Sequence, residues 1–387
     1  MLVAAARTPF GKLGGTLASV PAVELGARVI REVVRRGRVQ PADVDQVIMG
    51  TVLGAGLGQV PARQAAIRAD LPPTVSAFTV NKVCASSLKA VNLGALLIKA
   101  GEADVVVAGG MESMLRAPYL LEDQRFGARF GDRTAVDSML RDGLCCPVDG
   151  VLMGVHGSDV AAELSVSRAE QDAWAYRSQM LYQDALEAGR FADEIVAMPV
   201  NGSAVAADEQ PRPDTSLEKL ASLRGAFGAD STVTAGNAPG MNDGASAVLL
   251  MSAARAATMG LQPLGAWLTY GESAAEHPYL ATVPALAIEA AMGKTRGEVD
   301  TSRLSLVEIN EAFAAVAISS TRMLEVDPDI VNVKGGAVAI GHPIGASGAR
   351  ILMTLLYELR RRGGGYGAAG ICSGMAQGEA TIVRVDS

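Results

Sequence analysis

The sequence predicts an α/β protein of two similar halves with a loop-rich segment inserted between them. Three observations carry this reading. Apolar runs of strand length alternate with segments of helical period toward both ends of the chain. One order of parts (small-residue turn, helix, glycine, apolar strand ending in glycines) occurs at 82–110 and again at 341–374. The 43 glycines gather in short loops between apolar runs, where tight turns are needed. A chain of 387 residues, 49% hydrophobic and 19% charged, has room for two or three domains or subdomains and a large core.

A first strand is expected at 2–6, followed by a glycine-rich loop and a helix after Pro21. A strand at 44–52, a helix at 62–70 and a strand at 74–80 lead to Cys84. Residues 86–100 repeat apolar side chains at helical spacing, Gly101 closes that helix, and D-V-V-V-A at 104–108 is a short buried strand. In the second half a strand at 307–309 precedes a helix at 311–324. A glycine turn at 341–347 and an amphipathic helix at 348–361 follow, then a stretch at 365–370 leading into a strand and Cys372. Between the halves, 115–239 is loop-rich and charged. Its one clear helix, at 167–189, opens with a capping box of Ser167 and Glu170. An insertion of this length beside a two-half core usually shapes a binding site or an oligomer contact. The division read from the sequence is therefore 1–114 with 240–263 as one half, 115–239 as a loop domain, and 264–387 as the other half.

Composition narrows the function. A net charge of −7 argues against nucleic acid as the main partner. No apolar stretch approaches the roughly 20 residues of a membrane span. Met1 leads almost directly into V-A-A-A-R-T-P-F, which is too short for a signal h-region and lacks a basic start. A soluble cytoplasmic protein is expected. The 4 cysteines show no paired spacing and read as free thiols, with Cys145 and Cys146 as packing residues. No metal-ligand spacing, phosphate loop or dinucleotide fingerprint occurs, so neither a metal nor a cofactor is expected.

Three loops carry chemistry. Cys84 lies in V-N-K-V-C-A-S-S-L-K-A, between a strand and a helix, where free N–H groups and the positive helix end favour a thiolate. A sulfur there can attack a thioester carbonyl and hold the acyl group. His342, in G-H-P-I-G-A-S-G, is placed to take the thiol proton, with an imidazole near the right pKa. Cys372, in G-I-C-S-G-M, can remove a proton α to a second thioester, and the Gly374 N–H beside the Cys84 N–H can hold an oxyanion. Asn310 precedes Glu311-Ala312-Phe313 at a helix start, where it can orient a water, donate directly or act as N-cap. His156 and His277 have no such setting and read as structural or exposed.

Taken together the motifs resemble the thiolase family along nearly the whole chain. They are A-A-R-T-P-F-G-K at 5–12, V-N-K-V-C-A-S at 80–86, G-G-M-E-S-M at 109–114, T-V-T-A-G-N at 232–237, N-D-G-A at 242–245, N-E-A-F-A at 310–314, G-H-P-I-G-A-S-G at 341–348 and C-x-G at 372–374. The resemblance implies a five-layer α-β-α-β-α fold of two similar halves with a loop domain, assembled as dimers or tetramers. It implies acyl-CoA and CoA as substrates and no separate cofactor. It makes Cys84 the acylated nucleophile, His342 its activator, Cys372 the acid/base at the α-carbon and Asn310 the holder of a water. The N–H groups of Cys84 and Gly374 become an oxyanion hole. Arg212 matches an arginine near the CoA nucleotide. Leu144, Met153, Phe227, Ala235, Ala312 and Phe313 match positions around pantetheine and acyl chain.

Several positions depart from the family pattern. Ser87 stands where glycine commonly follows C-x-S, and Leu152 where acetoacetyl-forming members carry histidine. Pro239 replaces a usual serine, 281–284 replaces a G-x-G-P run, and Ala376 replaces a glycine. The catalytic set is whole while the pocket is altered, so the expected activity is reversible acyl transfer between CoA and acetyl-CoA with a bulkier or more apolar acyl group. The alternatives are a carrier-protein condensing enzyme, disfavoured because decarboxylating members use two histidines where this chain has Asn310 and Cys372, and a non-catalytic acyl-CoA or lipid-binding relative.

Overall fold

The computed structural model describes residues 1–386. β1 (Leu2–Arg7) opens the chain, and α1 (Ala22–Arg36) follows with one apolar stripe and its arginines on the other side. β2 (Gln46–Gly50), α2 (Pro61–Arg68) and β3 (Ser76–Val80) come next. α3 (Ser86–Ala100) ends at Gly101, whose φ of +77° is a left-handed cap that glycine tolerates. β4 (Val105–Ser113) runs on through Gly109 and Gly110, where the sequence reading stopped it at 108. The glycines are there for lack of room. A Cβ on Gly109 would lie 2.1 Å from the Ser246 carbonyl oxygen, and one on Gly110 would lie 1.9 Å from that of Gly345.

The inserted segment contributes short paired strands β5 (Tyr119–Leu120) and β6 (Val136–Asp137), then α4 (Met153–Glu163) and α5 (Arg168–Glu187). A second short pair, β7 (Met198–Val200) with β8 (Ser203–Val205), and α6 (Leu217–Ala221) complete it. α5 begins with the expected capping box, Ser167 and Glu170 each accepting from the other's backbone N–H. The segment is tied to the first half by ion pairs. Arg7, fully buried at the end of β1, makes a bidentate bridge to Asp208 at 2.6 and 2.9 Å and a third bond to Glu194 at 3.1 Å.

β9 (Asp243–Met251) returns the chain to the first sheet and α7 (Ala253–Thr258) leads out of it. β10 (Ala266–Ala274), α8 (Val283–Gly293), β11 (Leu304–Ile309) and α9 (Ala314–Met323) follow. α10 (Ala337–Ile340), α11 (Ser347–Arg361), β12 (Gly365–Ser373) and β13 (Gln377–Val385) end the fold. α9 starts at Ala314 with Phe313 as its N-cap, so Asn310 is not a helix cap. Glu311 explains the delay. Its buried carboxylate accepts from Trp174 Nε1, Ser178 Oγ, Asn332 Nδ2 and the Val338 N–H at 2.9–3.0 Å, which fixes 310–313 as a loop.

The two sheets repeat one pattern. The first has strand order β1-β9-β4-β2-β3 and the second β10-β13-β12-β11. In each, a parallel pair (β2 with β4, β11 with β12) is extended by two antiparallel steps. Alternation along the strands assigns the layers. Val105, Val107, Leu249 and Met251 face α1 and α2, whereas Val106, Ala108, Val248 and Leu250 face α3 and α11. On the second sheet Ala369, Ile371 and Val383 face the same two helices, and Ala368 and Ile382 face α8 and α9. The result is five layers, α-β-α-β-α, with α3 and α11 in the middle.

That middle layer overturns one expectation. The stretch Val83–Ala100 has a mean hydropathy of 1.4 over 18 residues, enough by length and composition for a membrane span. Its apolarity has a local cause. α3 packs among α11 and both sheets and needs few polar positions.

Candidate active site

The three loops singled out in the sequence meet at one cavity of about 360 Å³. Cys84, His342, Cys372 and Gly374 all line it. Each arrives on a different part of the framework. Cys84 sits between β3 and α3, after Val83 at φ +44°. His342 sits ahead of α11, the matching helix of the second half, and Cys372 at the end of β12. Repetition of the fold thus brings equivalent turns from the two halves face to face.

The His342 turn is held rigidly. Its N–H donates to Asn242 Oδ1 at 2.8 Å, and Gly341, at φ +108°, lets the backbone pass the Asn242 side chain, which a Cβ would approach to 2.8 Å. The Ser347 hydroxyl donates to the Pro343 carbonyl at 2.9 Å, so its oxygen accepts from His342 Nδ1 at 2.6 Å. That assigns the proton to Nδ1 and leaves Nε2 unprotonated, as an acceptor. Asn310 faces this nitrogen with its amide Nδ2 at 3.5 Å, and its oxygen accepts from Arg350 Nη2 at 3.4 Å. Buried Arg350 in turn meets Glu308 at 3.4 Å.

Burial, with the nearby Arg350 charge second, pushes His342 down to about 3. Burial also pushes the Cys84 thiol up to about 12, reinforced by the Glu112 carboxylate. The backbone N–H groups of Cys84 and Gly374 pull it the other way. Cys372 is raised as well, by burial and then by Cys84. The sequence reading of a stabilised thiolate beside an imidazole of ordinary pKa is therefore corrected. The resting site holds two thiols and a neutral imidazole, because a dry cavity penalises every isolated charge. What it favours is a charge pair formed together, thiolate with imidazolium, or an oxyanion at the two N–H groups.

The wall is almost wholly apolar. Leu144, Leu152, Met153, Phe227, Ala235, Pro239, Ala312 and Phe313 all line it, as the sequence anticipated. Asn310 and Arg212 do not. Asn310 stands behind His342. Arg212 bonds through Nη1 to the carbonyl of Ala235, a wall residue, at 3.1 Å, and through its backbone N–H to Gln179 at 2.9 Å. Among the departures, Ser87 has a clear function. Its hydroxyl accepts from the Ala349 N–H in the first turn of α11 at 3.0 Å, joining the two central helices. Ala376 takes a left-handed φ of +44°, the conformation a glycine would adopt freely.

Sequence reasoning missed several supports of the site. Glu112 accepts from the N–H groups of Val52, Leu53 and Gly345 and from the Thr51 hydroxyl, at 2.9–3.1 Å, and so ties the first half to the His342 turn. Asn242, Ser347 and Arg350 were given no role either. The signals were present, since Glu112 and Asn242 stand in the G-G-M-E-S-M and N-D-G-A motifs. Ile344, inside G-H-P-I-G-A-S-G, also lines the cavity, as do Leu140 and Leu280, which no motif marks.

Comparison with known proteins agrees with this geometry. The family model "Thiolase, N-terminal domain" matches residues 1–254 and "Thiolase, C-terminal domain" matches 261–385. An acetyl-CoA acetyltransferase of Chromobacterium violaceum is 48% identical, over 99% of this chain and 98% of its own. One from Pseudomonas aeruginosa is 46% identical over 100% and 99%, and one from Cupriavidus necator 47% over 99% and 98%. A five-layer fold, a cysteine–histidine–cysteine cavity at the meeting of its halves, and full-length agreement with both family models lead to one conclusion: the chain belongs to the thiolase family.

Proposed function

We propose that this acyltransferase cleaves an apolar 3-oxoacyl-CoA with CoA, or runs the reverse condensation, through an acyl group on Cys84. The observation that carries the reading is the convergence of Cys84, His342 and Cys372 on one apolar cavity, with the Cys84 and Gly374 N–H groups at the Cys84 sulfur. In the cleavage direction the Cys84 proton passes to the unprotonated Nε2 of His342 as sulfur attacks the 3-keto carbon. The bond between carbons 2 and 3 breaks, and its electron pair becomes the enolate of acetyl-CoA. Cys372 gives that carbon a proton. The thiol of a second CoA then gives its proton to the Cys372 thiolate and attacks the acyl-Cys84 thioester, and the proton held by His342 returns to Cys84. Hydrogen-bond donors aimed at the developing oxyanion are worth about 3 kcal/mol each. Coenzyme A is a substrate in this scheme, and no further cofactor takes part.

Cys84→Ala is expected to show no gain of one acyl mass after mixing with acyl-CoA. Cys372→Ala is expected to acylate normally yet to make no carbon–carbon product. Acylation of the first variant or full turnover of the second would overturn the roles. Leu152, where a histidine is usual, favours acyl groups larger than acetyl, and Leu152→His should shift the preference toward acetoacetyl-CoA. Intact catalytic groups and relatives named as acetyltransferases favour an enzyme over a non-catalytic binder.

We also propose a cytoplasmic homotetramer acting in fatty acid metabolism, with 115–239 as the loop domain for CoA and subunit contacts and with the halves 1–114 plus 240–263 and 264–387. Four free cysteines suit a reducing compartment. Phe126 and Phe130, exposed at 91% and 94%, give the inserted segment an apolar surface suited to a second subunit. Changing both to serine should lower the mass measured by light scattering from tetramer to dimer.

A further inference from the structure

A second cluster of chemically active side chains lies behind the acyl cavity. The Cys146 sulfur, an Asp149 oxygen and one ring nitrogen each of His156 and His277 all lie within 4.8 Å of one another. Spacing in the sequence does not betray it, since His277 is distant from the other three. The turn after Cys145 is closed by a bridge from Cys145 to Leu152 and carries Cys146 and Asp149. α4 supplies His156, and the loop before α8 supplies His277. His156 Nε2 meets Asp149 Oδ2 at 2.6 Å, and His277 Nε2 meets the same oxygen at 3.2 Å. Cys146 and His156 are buried, so this is not a chance gathering of surface groups.

We propose that these four residues bind a divalent transition metal, zinc above all, as a structural site. Thiolate, carboxylate and two imidazoles are a tetrahedral zinc donor set. Bond lengths of about 2.0–2.3 Å require donors roughly 3.3–3.8 Å apart, a small adjustment from the present separations. Charge also closes. One thiolate and one carboxylate neutralise a dication, and no net charge is left in a half-buried place. Protons balance in the same way. The Cys146 thiol proton leaves to water, and the hydrogens that His156 and His277 direct at Asp149 move to the Nδ1 atoms of the two rings, that of His156 being a buried nitrogen with no other partner. This proposal departs from the expectation of no metal, which was read from spacing alone.

The site would brace the acyl cavity. Leu144 and Leu152, which flank the metal-bearing turn, both line that cavity, and the Cys146 sulfur is 4.0 Å from that of Met375, next to Gly374. A metal there joins the turn, α4 and the loop before α8 into one unit without touching the reacting atoms.

The test is titration of chelator-stripped full-length protein with zinc and with cobalt(II). One equivalent should bind per chain, with release of one proton. Cobalt should give a thiolate charge-transfer band in the near ultraviolet and visible bands of tetrahedral intensity. The thiolate band should persist in Cys84→Ala and in Cys145→Ser, which remove the two partly exposed sulfurs, and vanish in Cys146→Ser. His277→Ala, at a partly exposed position where folding is not at risk, should weaken binding by more than the roughly 10–100-fold that loss of an outer partner causes. Absence of binding, a band that disappears with Cys84 instead of Cys146, or unchanged affinity in His277→Ala would each overturn the proposal.

Discussion

The reactive residues are held uncharged, and this has measurable consequences. Cys84, raised to about 12, should react with iodoacetamide at a rate still climbing at pH 9–10, where a free thiol with a pKa of about 8.5 levels off. Peptide mapping of a pH series checks this, and a plateau near the ordinary value would mean that the cavity does not penalise the thiolate. His342 has the opposite shift. Its folded pKa of about 3 lies below the roughly 6.5 of an unfolded chain, so between these values only the unfolded state takes the proton. This group's contribution to stability is complete above about pH 6.5 and is lost as pH falls toward 3. At pH 5 the loss is about 2 kcal/mol, from ~1.4 kcal/mol per pH unit. Urea unfolding at pH 7 and pH 5 should show His342→Asn losing that much less than the parent protein. Neither shift was legible in the sequence, which shows that a cysteine precedes a helix but not how dry the place is.

The elements differ in how plainly the sequence marks them, and the differences have physical causes. α3 was found at its full length, because its apolar periodicity and closing glycine are both local. α8 is nearly all apolar and has no polar face to set a period, so it left no pattern. α4, with its glycines, serine and histidine, looks like loop until its partners are known. β4 was cut short at two glycines that exist to admit neighbouring backbone. The same crowding appears where the central helices cross. A Cβ on Gly348 of α11 would lie 2.6 Å from the Leu88 backbone nitrogen of α3. Gly348→Ala should therefore cost about 1–3 kcal/mol through forced separation of the helices, even though alanine is the better helix former. A lowered urea midpoint with an unchanged slope would bear this out, and a raised midpoint would refute it.

At the scale of the whole molecule the two halves share one core. α3 and α11 are packed together between the sheets, and the central apolar cluster draws on both halves, from Leu2 and Val106 to Ile371 and Val383. Each half alone would expose an apolar face of its sheet and one flank of its central helix. We expect residues 264–387 expressed alone to give a collapsed amide proton spectrum and to gain dispersion only when the first half is supplied. A well-dispersed spectrum from the isolated fragment would contradict a shared core.

The fold class, the repeat of turn, helix and strand, and the choice of Cys84, His342 and Cys372 as candidates are legible in the chain alone, because each is written in local pattern or in an ordered run of motifs. Tertiary structure alone decided that Asn310 stands behind His342 and that Glu112 and Asn242 hold the histidine turn. It also decided that the reactive thiols are protonated and that Cys146, Asp149, His156 and His277 meet. The reason is common to all of these. Dielectric surroundings, hydrogen-bond direction and donor clustering depend on atoms far apart in the chain, and only packing brings them within reach of one another.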